Sequence, residues 1–523
     1  MNELAVELIG RAIGIEGGVA LYHVNLGSAL FRLHRFAESA AACEAAIGLR
    51  PDLVEAYYNL GNALLHLSRP VEAVAAYKAA SCLRPDLAEA YANRGNALFA
   101  GDRVDAAIAD LAVAIRLRPG DAVAHGNLGN ALRDRGRADE AVAACHIALC
   151  LEPAFTEAWC NLGSALQDLG QLDAALGALS AALHLHPAYA EAHFNRSLVR
   201  LLREDLPGAW EEYEWRWRLA GAQQEAQRFG RPRWEGENLA GRTILLHAEQ
   251  GAGDAFQFCR YAPMVAARGG RVVLAAPRPL LRVLAGLEGV ERLIAEDDPL
   301  PDIDLHCPLM SLPGLFGTNL ATIPAATPYL RAEDAQRRRW ESPLAADGAL
   351  RIGLVWAGRA DHRNDRNRSV PFAALAPLWR LAGIRWYGLQ VGERQADLAA
   401  APSGVIEDLS PFLTDFAETA ACLSHLDLLL TVDTGVAHLA GGLGCPAWIM
   451  LPFAPDWRWF LRREDSPWYP TARLFRQTEP GDWTAVVARI SETLRRSPSA
   501  IACLPRYSPP PPCPAPTRAP RLS

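Results

Sequence analysis

The chain has 523 residues, of which 50% are hydrophobic and 21% are charged, and its formal net charge is -7 at pH 7. This length predicts two or three domains, and the negative charge argues against nucleic-acid binding as the main function. Lys78 is the only lysine, so an anion site would have to use arginine. No apolar run is long enough to span a membrane, and Glu3 and Glu7 do not fit a signal peptide, which together predict a cytoplasmic protein.

A period of 34 residues runs through the first 200 residues. The asparagines of this series are Asn25, Asn59, Asn93, Asn127, Asn161 and Asn195, and the prolines are Pro51, Pro85, Pro119, Pro153 and Pro187. Glycine and alanine recur with the same period where two helices would meet. Because one such unit cannot bury a core alone, neighbouring units must stack, which predicts an all-α solenoid of helix pairs.

The period and the Gly, Ala and Pro positions resemble the tetratricopeptide repeat. The resemblance covers residues 20–223, with five full units and a degenerate sixth, and an N-terminal helix or cap occupies residues 1–19. It implies that the repeats bind a protein or peptide partner.

The asparagine series has two interpretations. One carboxamide per repeat could bind an extended peptide backbone, similar to the asparagine ladder in the repeats of O-linked N-acetylglucosamine transferases. The candidate peptide-groove residues are Asn59, Asn93, Asn127 and Asn161. Alternatively, asparagine is common at this position of the repeat and bonds its neighbours.

After a linker at residues 224–242, apolar strands alternate with helices from Thr243 onward. Such a pattern predicts parallel sheets covered on both faces. We expect an N-terminal Rossmann-like lobe at 243–345 and a C-terminal Rossmann-like, nucleotide-sugar-binding lobe at 346–497. Two such lobes are similar to the GT-B architecture of glycosyltransferases. The Pro-rich tail at 498–523 should be disordered.

Chemistry in such folds belongs at the carboxyl ends of the strands. After the first strand, Gly253 would let a ligand approach the backbone, and Asp254 would lie at a helix N-terminus. The Asp254 carboxylate could deprotonate an acceptor hydroxyl, or it could simply cap the helix.

The stretch TVDTGVAHLAGGLGCP follows another buried strand. A strand ends at Asp433, and Thr434 and Gly435 open a helix whose free N–H groups could bind a diphosphate. His438 lies about one turn into the helix, where it could contact phosphate or have a structural role.

A third loop, GRADHRNDRNRSVP, is rich in arginine. It is either a solvated loop or a phosphate clamp, for which Arg366 and Arg368 are the candidates.

The DTG-x-x-H-L-A stretch and the earlier Gly-Asp resemble glycosyltransferase family 9. This resemblance implies that Asp254 is the catalytic base. It also implies donor-diphosphate contacts from Asp433, Thr434, Gly435 and His438. The chain departs from the family pattern at Gln257, where the family often has His, and it has arginine instead of a phosphate-binding lysine. Heptose as the donor is therefore not implied.

The sequence thus predicts an inverting, metal-independent GT-B glycosyltransferase whose repeats recruit an acceptor protein, with a nucleotide sugar as substrate and no further cofactor. The Asp302-Ile303-Asp304 triplet lies in an apolar strand, and no metal site is predicted there. One alternative is a non-catalytic scaffold with a degenerate transferase-like domain, and another is a transferase that acts on lipid or glycan, with repeats that serve only assembly. Self-association stays open. A C-terminal aromatic group could stack on a ligand or pack beneath the cleft, and its members are Trp457, Trp459, Trp468 and Tyr469.

Overall fold

The computed structural model describes residues 2–219, 221, 228–344, 348–361, 364–496 and 507. The chain divides into two compact units, Met1–Asn195 and Arg196–Ser523. The predicted Pro-rich tail lies outside the described residues except for Tyr507, whose hydroxyl accepts a hydrogen bond of 3.1 Å from the backbone N–H of Ala332. No helix in the described part of the chain combines the length and the apolar character needed to cross a membrane.

The first unit is a series of helices joined by short turns. These are α1 (Asn2–Ile15), α2 (Ala20–Arg32), α3 (Phe36–Leu49), α4 (Val54–His66), α5 (Pro70–Leu83), α6 (Ala88–Ala100), α7 (Val104–Leu117), α8 (Ala122–Asp134), α9 (Ala138–Leu151), α10 (Thr156–Asp168), α11 (Leu172–Leu185) and α12 (Ala190–Leu202), of which α12 crosses into the second unit. The predicted all-α solenoid of helix pairs is confirmed over this region.

A glycine in the first helix of each pair lies directly against the second helix. A Cβ atom built on any of these glycines would come within 2.8 Å of the side chain 16 residues later in the chain. The contacts are Gly27–Cys43, Gly61–Tyr77, Gly95–Leu111, Gly129–Cys145 and Gly163–Leu179. The periodic glycine is therefore explained by close helix packing.

The division of the fold falls inside the sixth repeat, earlier than the predicted border at residue 223. The second helix of that repeat, α13 (Leu206–Tyr213), and the 3₁₀ helix Glu214–Arg218 pack within the second unit. Trp210 donates its indole N–H to the carbonyl of Thr318 at 2.7 Å. The sixth repeat thus follows the repeat pattern in sequence but supplies its second helix to the α/β unit.

The second unit contains two parallel β-sheets. The first has β1 (Thr243–His247), β2 (Arg271–Ala276), β3 (Val290–Ala295) and β4 (Leu305–Pro308), in the order β3-β2-β1-β4. The second has β5 (Leu350–Val355), β6 (Ile384–Gly388), β7 (Ile406–Asp408), β8 (Leu428–Val432), β9 (Ala447–Leu451) and β10 (Ala472–Arg476), in the order β10-β9-β8-β5-β6-β7. The second sheet is open and fully parallel. Its first and fourth strands in chain order, β5 and β8, are adjacent at its centre, as in doubly wound folds. The predicted parallel sheets are confirmed.

Helices connect these strands. The α-helices are α14 (Ala252–Phe258), α15 (Ala262–Ala266), α16 (Leu281–Leu284), α17 (Leu312–Leu315), α18 (Asp334–Trp340), α19 (Asp365–Arg368), α20 (Phe416–Leu423), α21 (Gly435–Leu443) and α22 (Trp483–Arg496). The single helix expected after β1 is interrupted by a 3₁₀ turn at Cys259–Tyr261, next to Pro263. Phe372–Arg380 is a 3₁₀ helix that contains Pro377, and β7 and β10 are strands that the sequence pattern did not predict.

The predicted linker at 224–242 is partly packed against the first sheet. Its residues 224–227 lie outside the described residues. Farther along, Trp234 is buried, and its backbone N–H donates to the carbonyl of His306 in β4 at 2.9 Å. This segment is therefore part of the α/β core.

Candidate functional site

The second sheet has a topological switch point between β5 and β8. These two strands are paired in parallel, and the strand order runs away from them in opposite directions. Ligands of such sheets bind outside the carboxyl ends of the two strands at this point. The arginine-rich loop follows β5, and Asp433, Thr434 and Gly435 follow β8. The topology therefore brings two of the three predicted loops to the same edge.

The loop after β8 leads directly into α21. Thr434 is the N-cap residue in extended conformation, and its side chain makes no capping hydrogen bond. The N–H of Ala437 donates to the carbonyl of Thr434 at 3.0 Å, but no N–H group of the first turn is satisfied by the Thr434 side chain, and the positive end of the helix dipole faces the loop. By contrast, the neighbouring α20 is capped by Asp415, which accepts from the N–H of Glu418 at 2.9 Å.

Asp433 and His438 lie together beside this helix start. His438 Nε2 is 3.7 Å from Asp433 Oδ1, and the two side chains are only 6% and 16% exposed. Burial opposes the charge of Asp433, but the neighbouring His438, Trp459 and Arg368 together lower the pKa of its carboxyl group. The other ring nitrogen of His438, Nδ1, is 2.9 Å from the hydroxyl of Tyr469. His438 is thus held in one orientation between two polar partners.

Of the two arginines predicted to form a phosphate clamp, Arg368 is partly buried and Arg366 is exposed. Arg368 Nε lies 3.6 Å from Asp365 Oδ1. A Cβ atom at Gly358 would lie 2.5 Å from the Arg368 guanidinium, so the absence of a side chain at Gly358 makes room for it. Arg368 follows β5 on the switch-point edge of the sheet, and its positive charge contributes to the lowered pKa of Asp433.

Asp254 lies in the first turn of α14, at the carboxyl end of β1. Its Oδ2 accepts the backbone N–H of Gly251 at 3.0 Å. The N-cap residue is therefore Gly251, and Asp254 caps the helix start from the third position of α14 and is not itself the N-cap. Its Oδ1 forms an ion pair with Arg458, and the two side chains are 17% and 8% exposed. Burial opposes the charge of Arg458, but Asp254 and Asp456 raise the pKa of the guanidinium.

The starts of α14 and α21 are in contact. A Cβ atom at Gly253 would lie 2.7 Å from Cδ2 of the His438 ring. One at Gly435 would lie 3.5 Å from Cβ of Ala252. The two glycines therefore permit a close approach, which brings Asp254 to the same region as Asp433 and His438.

The predicted aromatic group is buried. Its members Trp457, Trp459, Trp468 and Tyr469 are at most 4% exposed. The ring of Trp459 stacks on His438 at a centroid distance of 5.2 Å. These rings are therefore packed in the core beneath the candidate site, as the second interpretation predicted.

The switch point of the first sheet, between β1 and β4, is filled by the chain itself. Glu249 follows β1 and forms a bidentate ion pair with Arg216, with distances of 3.0 and 3.1 Å. Arg216 also donates to Ser311, which follows β4, at 2.7 Å. The segment that leaves the sixth repeat thus covers the position where a ligand of the first sheet would enter.

The asparagine side chains bond across neighbouring repeats. The side-chain amide of Asn59 donates to Ser28, that of Asn93 donates to Tyr58 and Asn62, and that of Asn161 donates to the carbonyl of Gly126, all at 2.9–3.3 Å. Asn127 has no such bond among the described residues. The neighbour-bonding interpretation is confirmed for three of the four candidates, and peptide binding by them stays a prediction.

One residue of this region was not predicted from the sequence. Arg458, which pairs with Asp254, was not singled out, although it follows β9 within the sequence DWRW and the rule that chemistry follows strands could have found it. The Asp302 carboxylate is exposed and pairs with Arg231, whereas Asp304 accepts from the N–H of Thr243 at 2.7 Å. These two carboxylates therefore have separate partners.

The family model described as Tetratricopeptide repeat matches residues 24–82, 92–155 and 160–223. Protein FlbA of Caulobacter vibrioides is 29% identical over 329 residues, which cover 58% of this chain and 54% of that protein, so the chain spans about half the length of this relative.

Among solved structures, YrrB, described as a TPR protein with an unusual peptide-binding site, is 22% identical, with a TM-score of 0.31, and the match covers 36% of this chain and 96% of YrrB. TTC0263, a thermophilic TPR protein in Thermus thermophilus, is 24% identical, with a TM-score of 0.31, over 35% of this chain and 100% of that protein. The structural matches thus cover about a third of the chain. Together with the family model, the helix pairs identify the repeats of this chain as tetratricopeptide repeats, which are protein-interaction modules.

Proposed function

We propose that the second unit is a GT-B glycosyltransferase that moves a sugar from a nucleotide-diphosphate donor to a hydroxyl of a protein recruited by the repeats. The observation that supports this proposal is the convergence of Arg368, Asp433 and the uncapped start of α21 at the switch point of a doubly wound parallel sheet. A guanidinium and free helix N–H groups suit a diphosphate.

In the proposed reaction, an oxygen of the acceptor hydroxyl attacks the anomeric carbon of the donor. The bond from that carbon to the nucleotide diphosphate breaks, and the nucleotide diphosphate leaves with the bonding electrons. Asp254 receives the proton of the hydroxyl, and Arg368 and the start of α21 stabilise the charge of the leaving diphosphate. A single displacement of this kind inverts the anomeric centre.

The proposed reaction requires that the ion pair between Asp254 and Arg458 opens before Asp254 accepts a proton. Transfer of a proton to Asp254 while this pair is intact would leave the Arg458 guanidinium buried without its partner. A bound diphosphate would compete with Asp254 for Arg458. We therefore propose that donor binding draws Arg458 away and frees Asp254 to act as the base.

Donor binding is tested by isothermal titration calorimetry of the full chain with UDP, GDP, ADP, TDP and CDP. We expect one of them to bind, and Arg368→Ala to weaken its affinity at least about tenfold, which corresponds to about 1.4 kcal/mol. Arg359→Ala is the matched control, because Arg359 lies on the same loop but is 82% exposed and pairs with Asp361. Binding of none of these nucleotides, or an equal effect of the two substitutions, would contradict the proposal.

Transfer is tested with a labelled form of the matching nucleotide sugar and lysate proteins as acceptors. Asp254→Asn should reduce incorporation about 10²–10⁴-fold, as expected for loss of a general base, and should not weaken nucleotide affinity, because it removes the carboxylate that competes with the diphosphate for Arg458. An Asp254→Asn protein with unchanged incorporation would rule out the assigned base.

A second candidate function is a non-catalytic scaffold. It is favoured by the fact that both carboxylate oxygens of Asp254 already have protein partners and that His438 is fixed by Tyr469. A scaffold would bind partner proteins through the repeats but would give no sugar incorporation with any nucleotide sugar. The same two experiments therefore separate the two candidates.

A further inference from the structure

The two nitrogens of the His438 ring lie in different surroundings. Nε2 is on the side of the candidate site, since a Cβ atom built on Gly253 at the start of α14 would lie 3.3 Å from it. Nδ1 is on the other side of the ring, 2.9 Å from the hydroxyl of Tyr469, a residue that is 1% exposed. A neutral imidazole carries one proton, and the nitrogen that holds it donates while the other accepts. The position of this proton therefore decides what Nε2 offers to the site.

The Tyr469 hydroxyl lies beside a second tyrosine, Tyr329, whose own proton is already used. The Tyr329 hydroxyl donates to the carbonyl of Phe256 at 2.8 Å and accepts from Nη2 of Arg260 at 2.7 Å. It also interacts with the hydroxyl of Tyr469. Because a tyrosine has a single O–H, Tyr329 has no proton left for Tyr469. The O–H of Tyr469 therefore points either to the Tyr329 oxygen or to Nδ1 of His438.

The carboxylate of Asp433 decides between these two arrangements. Its Oδ1 is the atom 3.7 Å from Nε2 of His438, and the lowered pKa of Asp433 keeps it ionised at neutral pH. A carboxylate only accepts hydrogen bonds, so a lone pair on Nε2 would face a negative charge, whereas an N–H would face it favourably. With the proton on Nε2, Nδ1 is an acceptor, and the O–H of Tyr469 donates to it.

We propose that Tyr469 is a positioning residue, whose hydroxyl donates to Nδ1 of His438 and thereby holds the ring in the tautomer with its proton on Nε2. At 3.7 Å, Nε2 is beyond hydrogen-bond distance of Asp433, so its N–H stays available beside the start of α21. An oxygen of the donor diphosphate can accept it. This last step rests on the proposed function, whereas the tautomer does not.

The tautomer is tested by nuclear magnetic resonance of the full chain labelled with ¹⁵N-histidine, at about pH 8, where an ordinary histidine is neutral. Long-range ¹H–¹⁵N correlations distinguish a protonated ring nitrogen from an unprotonated one. The signals that disappear in His438→Gln identify this residue among the 13 histidines. We expect a proton on Nε2 and none on Nδ1. A proton on Nδ1, in a neutral ring or in an imidazolium, overturns the proposal before any variant of Tyr469 is made.

Tyr469→Phe then tests the role of the hydroxyl. This variant keeps the ring that packs against Arg260 and Trp459. The His438 signals should show a mixture of both tautomers or a proton on Nδ1. Tyr329→Phe is the matched control, because it also deletes a hydrogen-bonded hydroxyl of this region, and it should keep the wild-type signals. A wild-type pattern in Tyr469→Phe, or the same change in both variants, overturns the assigned role.

A second readout is the affinity for the nucleotide diphosphate that binds the wild type, measured by isothermal titration calorimetry. Tyr469→Phe should weaken this affinity about tenfold, as expected for loss of one hydrogen bond to a charged group, and Tyr329→Phe should leave it within about threefold. Equal affinities of Tyr469→Phe and the wild type overturn the donation from Nε2 to the ligand. A wild type that binds no nucleotide overturns this donation together with the proposed function, and the nuclear magnetic resonance result still decides the tautomer.

Discussion

The polar contacts of the repeats and of the α/β unit differ in how far apart their two residues lie in the sequence. In the repeats, Asn93 bonds Asn62 and Tyr58, which are 31 and 35 residues away in the adjacent repeat. In the α/β unit, Asp254 pairs with Arg458, 204 residues away. A repeat contact therefore joins two neighbouring helices, whereas a contact in the α/β unit joins whole segments of the fold. Loss of one contact should have a local effect in the first unit and a general effect in the second.

The largest expected effect on stability comes from the loss of a buried ion pair between β5 and the turn before β8. Arg351 contacts Asp427 through Nε and Nη2 at 3.0 and 2.9 Å, and both side chains are buried. Arg351→Ala would leave Asp427 buried without its partner and should lower the free energy of unfolding of the α/β unit by about 3–5 kcal/mol. Urea unfolding followed by tryptophan fluorescence measures this, because Trp159 is the single tryptophan before residue 196.

Arg94→Ala is the control for this experiment. Arg94 forms a comparable pair with Asp110 inside the repeats, with Nη2 and Oδ1 2.7 Å apart. Loss of this pair should leave the urea midpoint measured by tryptophan fluorescence unchanged and should lower the urea midpoint measured by the helical circular dichroism signal. Equal shifts of the fluorescence transition in both variants would mean that the two units do not respond separately.

Next in size is a pH effect that belongs to the α/β unit alone. Burial and the neighbouring His306 lower the pKa of His247 to about 3, and Arg228 and Arg233 add positive charge nearby. Because the folded pKa lies below the unfolded value of about 6.5, stability is complete above that value and is lost as the pH falls towards 3, by up to about 1.4 kcal/mol per pH unit. The urea midpoint of the fluorescence transition should fall between about pH 6.5 and pH 5, and less so in His247→Gln. An identical slope in this variant would contradict the assignment.

A smaller effect is expected from the glycines of the repeats. Gly163→Ala places a Cβ atom 2.5 Å from Leu179, and the overpacking should cost about 1–3 kcal/mol. Gly177→Ala is the control, since nothing lies within 4 Å of its Cβ position, and it should stabilise the helix by up to about 1 kcal/mol. Thermal unfolding followed by circular dichroism should show shifts of opposite sign.

The smallest effect concerns the asparagine series. Asn93→Ala removes two hydrogen bonds between repeats and should cost about 1 kcal/mol, whereas Asn127→Ala should cost less. If both side chains also bind a peptide, both variants should lose affinity for a protein that binds the repeats. Only Asn93→Ala should lower the unfolding midpoint. An unchanged midpoint in Asn93→Ala would show that this contact contributes nothing measurable.

The strand pattern of the α/β unit was predictable to a different extent from its site. Apolar segments such as Leu428–Val432 are buried on both faces and stand out in the sequence. The short strand Ile406–Asp408 has one exposed and two half-buried residues, so that no continuous apolar run marks it. Asp254, Asp433 and His438 could be proposed as site residues from the sequence because glycines after strands mark approach points for ligands. Arg458 also follows a strand, but its contact with Asp254, 204 residues away, is not visible in the sequence.

The repeats could be predicted from the sequence, down to the glycines against which the partner helices pack, because each unit makes the same contacts with its neighbours and these contacts recur with the period. The parallel arrangement of the later strands could also be predicted, since their apolar runs alternate with helices. The folded structure was needed to show that Asp254 is paired with Arg458, that Arg368 is partly buried whereas Arg366 is exposed, and that Arg216 fills the switch point of the first sheet. These depend on which loops the strand order brings together, and strand order arises from packing of the whole unit.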